Sequence, residues 1–260
     1  MKRQREWSAF GMRRSELPIL KRLVPSIRKR VARLTPAGRY RIVKRNGARF
    51  LVNFTNWADR MVVAHGLVEP AQLDYFLRHI RSNGCDVFLD VGANMGLYSI
   101  LVARNTPCRT IIAFEPDPRA YAQLLANLLL NDLLGTVEAR AIAISDRRGP
   151  VAFELGPATH SVWSKVHRDG ATGMSVPALP LDDAAPFSGR TIAIKIDIEG
   201  HELDALKGMQ NLLRDNRCLV QVECFDRNLA ALSAALALLG YRLIHQIPPD
   251  RYFANAGIDA

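Results

Sequence analysis

The stretch Asp90-Val91-Gly92-Ala93-Asn94-Met95-Gly96-Leu97-Tyr98-Ser99 narrows the fold more than any other part of the chain. It follows a short apolar run, Val87 to Leu89, and leads into a helical pattern, Ile100 to Ala103. Strand, glycine turn and helix make half of a βαβ unit. The next strand, Thr110 to Phe114, ends on Glu115. An acid at that strand end can accept hydrogen bonds from both hydroxyls of a ribose. A nucleoside-containing ligand in a Rossmann-like α/β unit is therefore expected.

The glycine spacing narrows the ligand. A dinucleotide turn reads G-x-G-x-x-G, so that a pyrophosphate can lie against a helix N-terminus. Here Gly92 and Gly96 are separated by three residues, and Asp90 stands just before the first glycine. A carboxylate there repels a pyrophosphate and suits a cation. S-adenosylmethionine (SAM) lacks phosphate and carries an ammonium and a sulfonium, so the local chemistry favours SAM over NAD.

The rest of the chain alternates in the same way. Helical spacing covers about Arg119 to Asn131, Glu202 to Arg214 and Leu229 to Leu239. Strand patterns run over Thr136 to Ile144, Thr191 to Ile196, Leu219 to Val222 and Tyr241 to Ile247, and Tyr252-Phe253 marks a further one. Between them, Val151 to Leu155 and Ser175 to Leu181 read as short strands, the second as an edge because of Pro177 and Pro180. Residues 156–175 read as irregular. Alternating strands and helices imply a mainly parallel sheet with right-handed crossovers, whose ligands collect at the carboxyl ends of the strands. Asp90, Glu115, Ser145, Asp197 and Glu223 all stand at such ends.

Upstream of this core the pattern differs. Arg39 to Phe54 alternates around Asn46-Gly47, which is a hairpin signal. Pro70 to Ser82 has a helical apolar face and is closed by Asn83-Gly84. The expected organisation is a basic leader over 1–38, a hairpin and helix over 39–84, and the nucleoside-binding domain over 85–260.

The net charge of +10 is uneven: residues 1–49 hold 16 Lys and Arg against two acids, leaving −4 for the remainder. The leader carries a helical stripe, Leu20, Leu23, Val24, Ile27, Val31 and Leu34, amid Lys and Arg. Such a helix can dock on its own domain or on a second copy, which is the preferred reading, or touch a membrane surface or polyanion. No secretory signal or membrane-length apolar run is visible. The four cysteines form no C-x-x-C pair and read as buried hydrophobes in a reducing compartment. The expected location is cytoplasmic, with peripheral contact at the inner membrane face open to the leader.

Methyl transfer to an alcohol needs alignment of oxygen, methyl and sulfur, and a group to take the hydroxyl proton. Asp197 ends the fourth core strand, Glu199 and His201 follow on the Gly200 turn, and Glu223 ends the fifth strand. These four are the catalytic candidates. Lys195 reads as an inward lysine paired to one of the acids. His160 and Ser161, in the irregular loop, are substrate-contact candidates. A divalent metal could sit among Asp197, Glu199 and Glu223, but carboxylate spacing does not establish one, and none is predicted.

Three motifs in order carry a resemblance: Asp90 to Ser99, Ala113-Phe114-Glu115-Pro116, and Lys195-Ile196-Asp197-Ile198-Glu199-Gly200-His201-Glu202. Together they resemble the FkbM family of SAM-dependent methyltransferases. The resemblance extends to Glu69-Pro70, Asn127, Asn131, Ala143 to Ser145 and Leu181-Asp182, covering roughly residues 40–247. It implies a Rossmann-like class I methyltransferase fold, a seven-stranded sheet in the order 3-2-1-4-5-7-6 with helices on both faces and an antiparallel last strand. It also implies O-methylation of a glycan or secondary-metabolite hydroxyl. By matching positions, Asp90, Gly92, Asn94 and Gly96 would hold the methionine part of SAM and Glu115 the ribose. Ser145 and Asp146 would lie near the adenine. The leader has no counterpart in that pattern. Two competing functions are an RNA ribose methyltransferase using the leader's charge, which is less favoured, and a non-catalytic SAM-binding protein. The sequence leaves the oligomeric state open.

Overall fold

The computed structural model describes residues 39–65, 69–160, 163–167, 173–224 and 226–259. The leader helix and Ser161 lie outside the described residues. The chain opens with a hairpin, β1 (Tyr40–Arg45) and β2 (Ala48–Asn53), turning through Asn46 and Gly47 at positive φ. Helices α1 (Trp57–His65) and α2 (Pro70–Ser82) follow. Helix α1 has no counterpart in the sequence reading. The core then runs β3 (Val87–Val91), α3 (Leu97–Asn105), β4 (Thr110–Phe114), α4 (Pro118–Leu130) and β5 (Val137–Arg140). An inserted unit holds β6 (Ala143–Ile144), β7 (Gly149–Glu154), β8 (Lys165–His167) and β9 (Met174–Leu179). The chain closes with α5 (Leu181–Ala184), β10 (Thr191–Ile196), α6 (Glu202–Lys207), α7 (Gln210–Asp215), β11 (Arg217–Glu223), α8 (Asp226–Ala237), β12 (Arg242–Ile247) and β13 (Asp250–Ala254).

Seven strands form the main sheet in the order β12-β13-β11-β10-β3-β4-β5. In core numbering that is the expected 3-2-1-4-5-7-6. Strands β3, β4, β5, β10 and β11 pair in parallel, and β13 runs antiparallel to both neighbours. Alternate side chains on each strand feed two cores, as a doubly covered sheet requires. Phe88, Ile111 and Ala193 pack with α2, α3 and α4 through Phe76, Ile100 and Leu124. Leu89, Ile112 and Ile194 pack with α5 to α8 through Leu181, Leu206, Leu213 and Leu232. All four cysteines are buried and free, as the spacing implied.

Several elements differ from the sequence pattern. The expected strand Thr136 to Ile144 is broken: β5 ends at Arg140, and Ala143-Ile144 pair with β9 in a separate four-stranded sheet. The run is apolar throughout, so its composition does not reveal the change of sheet. Strand β9 is not an edge but lies between β6 and β7. Its prolines are tolerated because β6 pairs only with Ala178 and Leu179, and Pro180 lies past the strand end. Part of the irregular stretch forms β8, paired to β7. The expected helix Glu202 to Arg214 is interrupted at Gly208. A Cβ at Gly208 would come within 1.9 Å of the Ser145 carbonyl oxygen, so close approach to the inserted unit dictates a residue that weakens a helix.

Three side chains one helical turn apart, two on α4 and one at its C-cap, dock the hairpin. Gln123 donates to Leu51 O at 2.8 Å, Asn127 accepts from Leu51 N at 2.6 Å, and Asn131 bonds both Arg49 N and Arg49 O. The amides satisfy backbone groups at the β2 edge as a neighbouring strand would. Among the described residues no helix is long and apolar enough to cross a membrane.

Candidate active site

The turn between β3 and α3 has positive φ at Gly92, Asn94 and Gly96. Gly92 is demanded by approach as well as conformation, since a Cβ there would lie 1.9 Å from the carbonyl oxygen of Asp197. The end of β10 thus presses against the turn. A cleft opens here, lined by Gly92, Asn94, Phe114, Glu115, Ile142, Ile144, Asp197, Glu199 and His201. It lies across the carboxyl ends of β3, β4 and β10, where a doubly wound sheet collects ligands.

Glu115 is positioned by backbone. Its Oε2 accepts from Asn94 N at 2.7 Å and its Oε1 from Asp117 N at 2.8 Å. Burial pushes its carboxyl up to about 7, while the two N–H groups oppose that shift. A carboxylate has about four acceptor sites, so both oxygens keep capacity for the hydroxyls of a ribose. Asp117 caps α4 and holds Ser164 Oγ at 2.8 Å and the Arg119 guanidinium at 2.7 Å, tying the inserted unit to the cleft rim. Asp117 and Ser164 were not sequence candidates, although Asp117-Pro118 is a readable helix start.

Asp90 does not reach the cleft. It is 1% exposed, and its Oδ2 accepts from Ser99 N at 3.1 Å and Ser99 Oγ at 2.6 Å. It therefore braces the first turn of α3 from behind.

Asp197, Glu199 and Glu223 do converge. Their carboxylate oxygens come within 4.8 Å of one another, a spacing a divalent cation could bridge. Lys195 already supplies positive charge: its Nζ lies 2.9 Å from Asp197 Oδ2 and 4.8 Å from the centre of the Tyr98 ring. Burial raises the Asp197 carboxyl, but the Lys195 ammonium and a hydrogen bond with Glu223 outweigh it and hold Asp197 below its ordinary value. Glu223 is pushed up, first by the charge of Asp197 and then by burial. Glu199, at φ 55, is pushed up to about 8 by burial and then by Asp197 and Glu202.

The remaining candidates lie elsewhere. His201 borders the cleft, but its Nε2 lies 2.9 Å from Ser145 Oγ and its Nδ1 3.4 Å from Asp204. The ring thus bridges α6 to the inserted unit. Ser145 and Asp146 line a neighbouring hollow that shares His201 with the cleft, whose own wall at that point is Ile142 to Ile144. His160 is stacked on Trp163 with ring centres 4.5 Å apart and does not line the cleft. Around Lys195 stand groups the sequence reading gave no role: Tyr98, Gln221, Asp250 and Glu69. Gln221 was detectable as the one polar side chain inside an apolar strand. Asp250 carried no comparable signal.

A family model described as the methyltransferase FkbM domain matches residues 90–243. The hexuronic acid methyltransferase AglP of Haloferax volcanii is 31% identical over 140 residues, 53% of this chain and 56% of that protein. The 2-O-methyltransferase NoeI of Sinorhizobium fredii is 30% identical over 187 residues, 62% of this chain and 74% of that protein. A crystal structure of methyltransferase FkbM from Methylobacillus flagellatus is 17% identical, with a TM-score of 0.47, over 76% of this chain and 53% of that one. The chain thus spans little more than half the length of the Haloferax protein. On the family match and the sheet that carries its motifs, this chain belongs to the FkbM methyltransferase domain family.

Proposed function

We propose that this chain is a SAM-dependent O-methyltransferase acting on a hydroxyl of a sugar or a related hydroxylated metabolite. The observation that carries this reading is one cleft with two unlike ends. Glu115 and the apolar wall of Phe114, Ile142 and Ile144 suit an adenosine. Asp197 and Glu199 suit a cationic centre and an alcohol that must lose a proton. The name of the Haloferax relative supports a sugar acceptor, and that of the Sinorhizobium relative supports transfer to oxygen.

Bound SAM supplies an electrophilic methyl on a sulfonium. An alcohol oxygen would displace that methyl, with the carbon–sulfur electron pair leaving on sulfur, while Glu115 would hold the ribose and Asp197 and Glu199 would face the reacting end. Alignment of the three atoms can supply roughly 7–11 kcal/mol of barrier reduction. The hydroxyl proton passes to a carboxylate. Asp197, paired with Lys195, is a weak base, and its role is to orient. Glu199, raised to about 8, is matched to proton transfer near neutral pH. Ribose methylation of RNA fits poorly, because the acidic end of the cleft repels a phosphate backbone.

The test is incubation with SAM and a panel of methyl glycosides, uronic and neutral, followed by mass spectrometry. A methyl ether on at least one glycoside is the expected product. SAM binding with no methylation of any alcohol, or transfer to nitrogen alone, sinks the proposal.

A further inference from the structure

Asp90 is enclosed behind the glycine turn, so the counter-charge for the amino-acid end of SAM has to come from another residue. An adenosine held by Glu115 would lie at the β4 end of the cleft, and its amino-acid end would then extend across β3 toward β10 and β11. On that side Asp90, Lys195, Gln221 and Tyr252 sit in register across four strands. One step on, Asp250 stands opposite Glu223, and Asp197 ends β10. Lys195 is the cation among these acids, and the other cations that the pairing places on this face, Arg217 and Arg242, lie at the opposite end of the strands. Asp250 is 2% exposed; its Oδ1 accepts from Gln221 Nε2 at 2.9 Å, and its Oδ2, like Asp90 Oδ1, has no hydrogen-bond partner among the described residues. An orphaned carboxylate oxygen amid further acids is costly unless a cation joins it.

Glu69 faces this excess from the other side. It is the residue before α2, half-buried, and held at φ 55 ψ 54 although it is not glycine. Its Oε2 accepts from Tyr98 OH at 3.5 Å, and Tyr98 OH also takes a hydrogen bond from Gln221 at 3.0 Å. The charges acting most on Glu69 are Asp250, then Asp197, with Lys195 opposing. Left-handed backbone at a non-glycine residue costs free energy and clusters at ligand clamps. Here it turns an acid inward beside acids that repel it, which folding alone does not reward.

We infer that Glu69 is a cofactor-binding residue whose carboxylate receives the α-ammonium of SAM, completing the site at the end opposite Glu115. The inference rests on SAM being the cofactor. Asp90 keeps α3 in place, Lys195 neutralises Asp197, and Glu69 supplies the carboxylate that the ammonium meets, with Asp250 enclosed behind it.

Calorimetric titration of the full chain with SAM, S-adenosylhomocysteine and 5′-methylthioadenosine separates the alternatives. The first two carry the ammonium and the third lacks the amino acid. In Glu69→Gln, affinity for SAM and S-adenosylhomocysteine falls about tenfold or more, and affinity for methylthioadenosine stays within about twofold. Glu69→Gly, which relieves the backbone strain, gives the same pattern, so loss of folding does not obscure it. Equal loss for all three ligands makes Glu69 structural and overturns the inference, as does no loss at all. Loss for SAM alone places Glu69 at the sulfonium and also overturns it. A wild-type chain that binds none of the three refutes the cofactor itself, a distinct result.

Discussion

Lys195 and Asp197 sit two residues apart at one strand end, and their pairing divides the labour among the acids. The ammonium, 6% exposed, satisfies Asp197 and leaves Glu199, of the three converging carboxyls, as the one with a proton affinity near working pH. Two substitutions should therefore behave differently. Glu199→Gln keeps the shape and removes the base, so kcat should fall about 10²–10⁴-fold with SAM affinity little changed. Asp197→Asn leaves Lys195 without its nearest carboxylate, although Asp90 still acts on it. It should destabilise the fold by about 3 kcal/mol, the lower end for breaking a buried pair. Steady-state kinetics and calorimetric melting check both. Wild-type kcat in the Glu199 variant would place the base on another group, and an unchanged melting temperature in the Asp197 variant would show that the pair is dispensable.

Among the elements, α4 couples the hairpin to the cofactor turn. Asn127 is fully buried, accepts from Leu51 N and donates to Met95 O at 2.9 Å, between Gly92 and Gly96. Asn127→Ala orphans one group on each side, at roughly 1–3 kcal/mol apiece. Both stability and SAM affinity should drop. Asn131→Ala loses contacts to the hairpin and its own helix only, and should cost stability with SAM affinity kept. Equal SAM affinities in the two variants would show that the turn is set without the hairpin. The strand–turn–helix core was legible because periodicity and glycine spacing are local properties: α2, β4 and β10 fall on the residues their patterns indicated. What stayed hidden depends on partners distant in sequence. Nothing near Ile144 announces that it pairs with Leu179, and nothing near His201 announces Ser145. Asp90 and Glu69 show the same limit within the site. Both are acids at element boundaries, and only the fold reveals that one faces Ser99 and the other Tyr98.

Over the whole molecule, burial of many acids around one lysine makes the unliganded protein a proton store. Glu69 and Glu199 are pushed up to about 8, Glu115 to about 7 and Asp250 to about 6, each first by burial. Between their ordinary values near 4 and these raised ones, the folded chain binds protons that the unfolded chain releases. Stability of the unliganded protein should therefore fall as pH rises from about 5 to 8. Asp197, held low, and Lys195, held high, titrate outside that window and leave the sign unchanged. A ligand bearing an ammonium and a sulfonium favours the ionised carboxyls, so SAM binding should expel protons near pH 7. SAM affinity should accordingly rise with pH. S-adenosylhomocysteine, without the sulfonium charge, should expel fewer. Titration calorimetry at pH 7 in buffers of different ionisation heat counts those protons directly. No proton release, with equal SAM affinity at pH 6 and pH 8, would mean that the acids around Lys195 are already ionised and that the cofactor meets a preformed anionic pole.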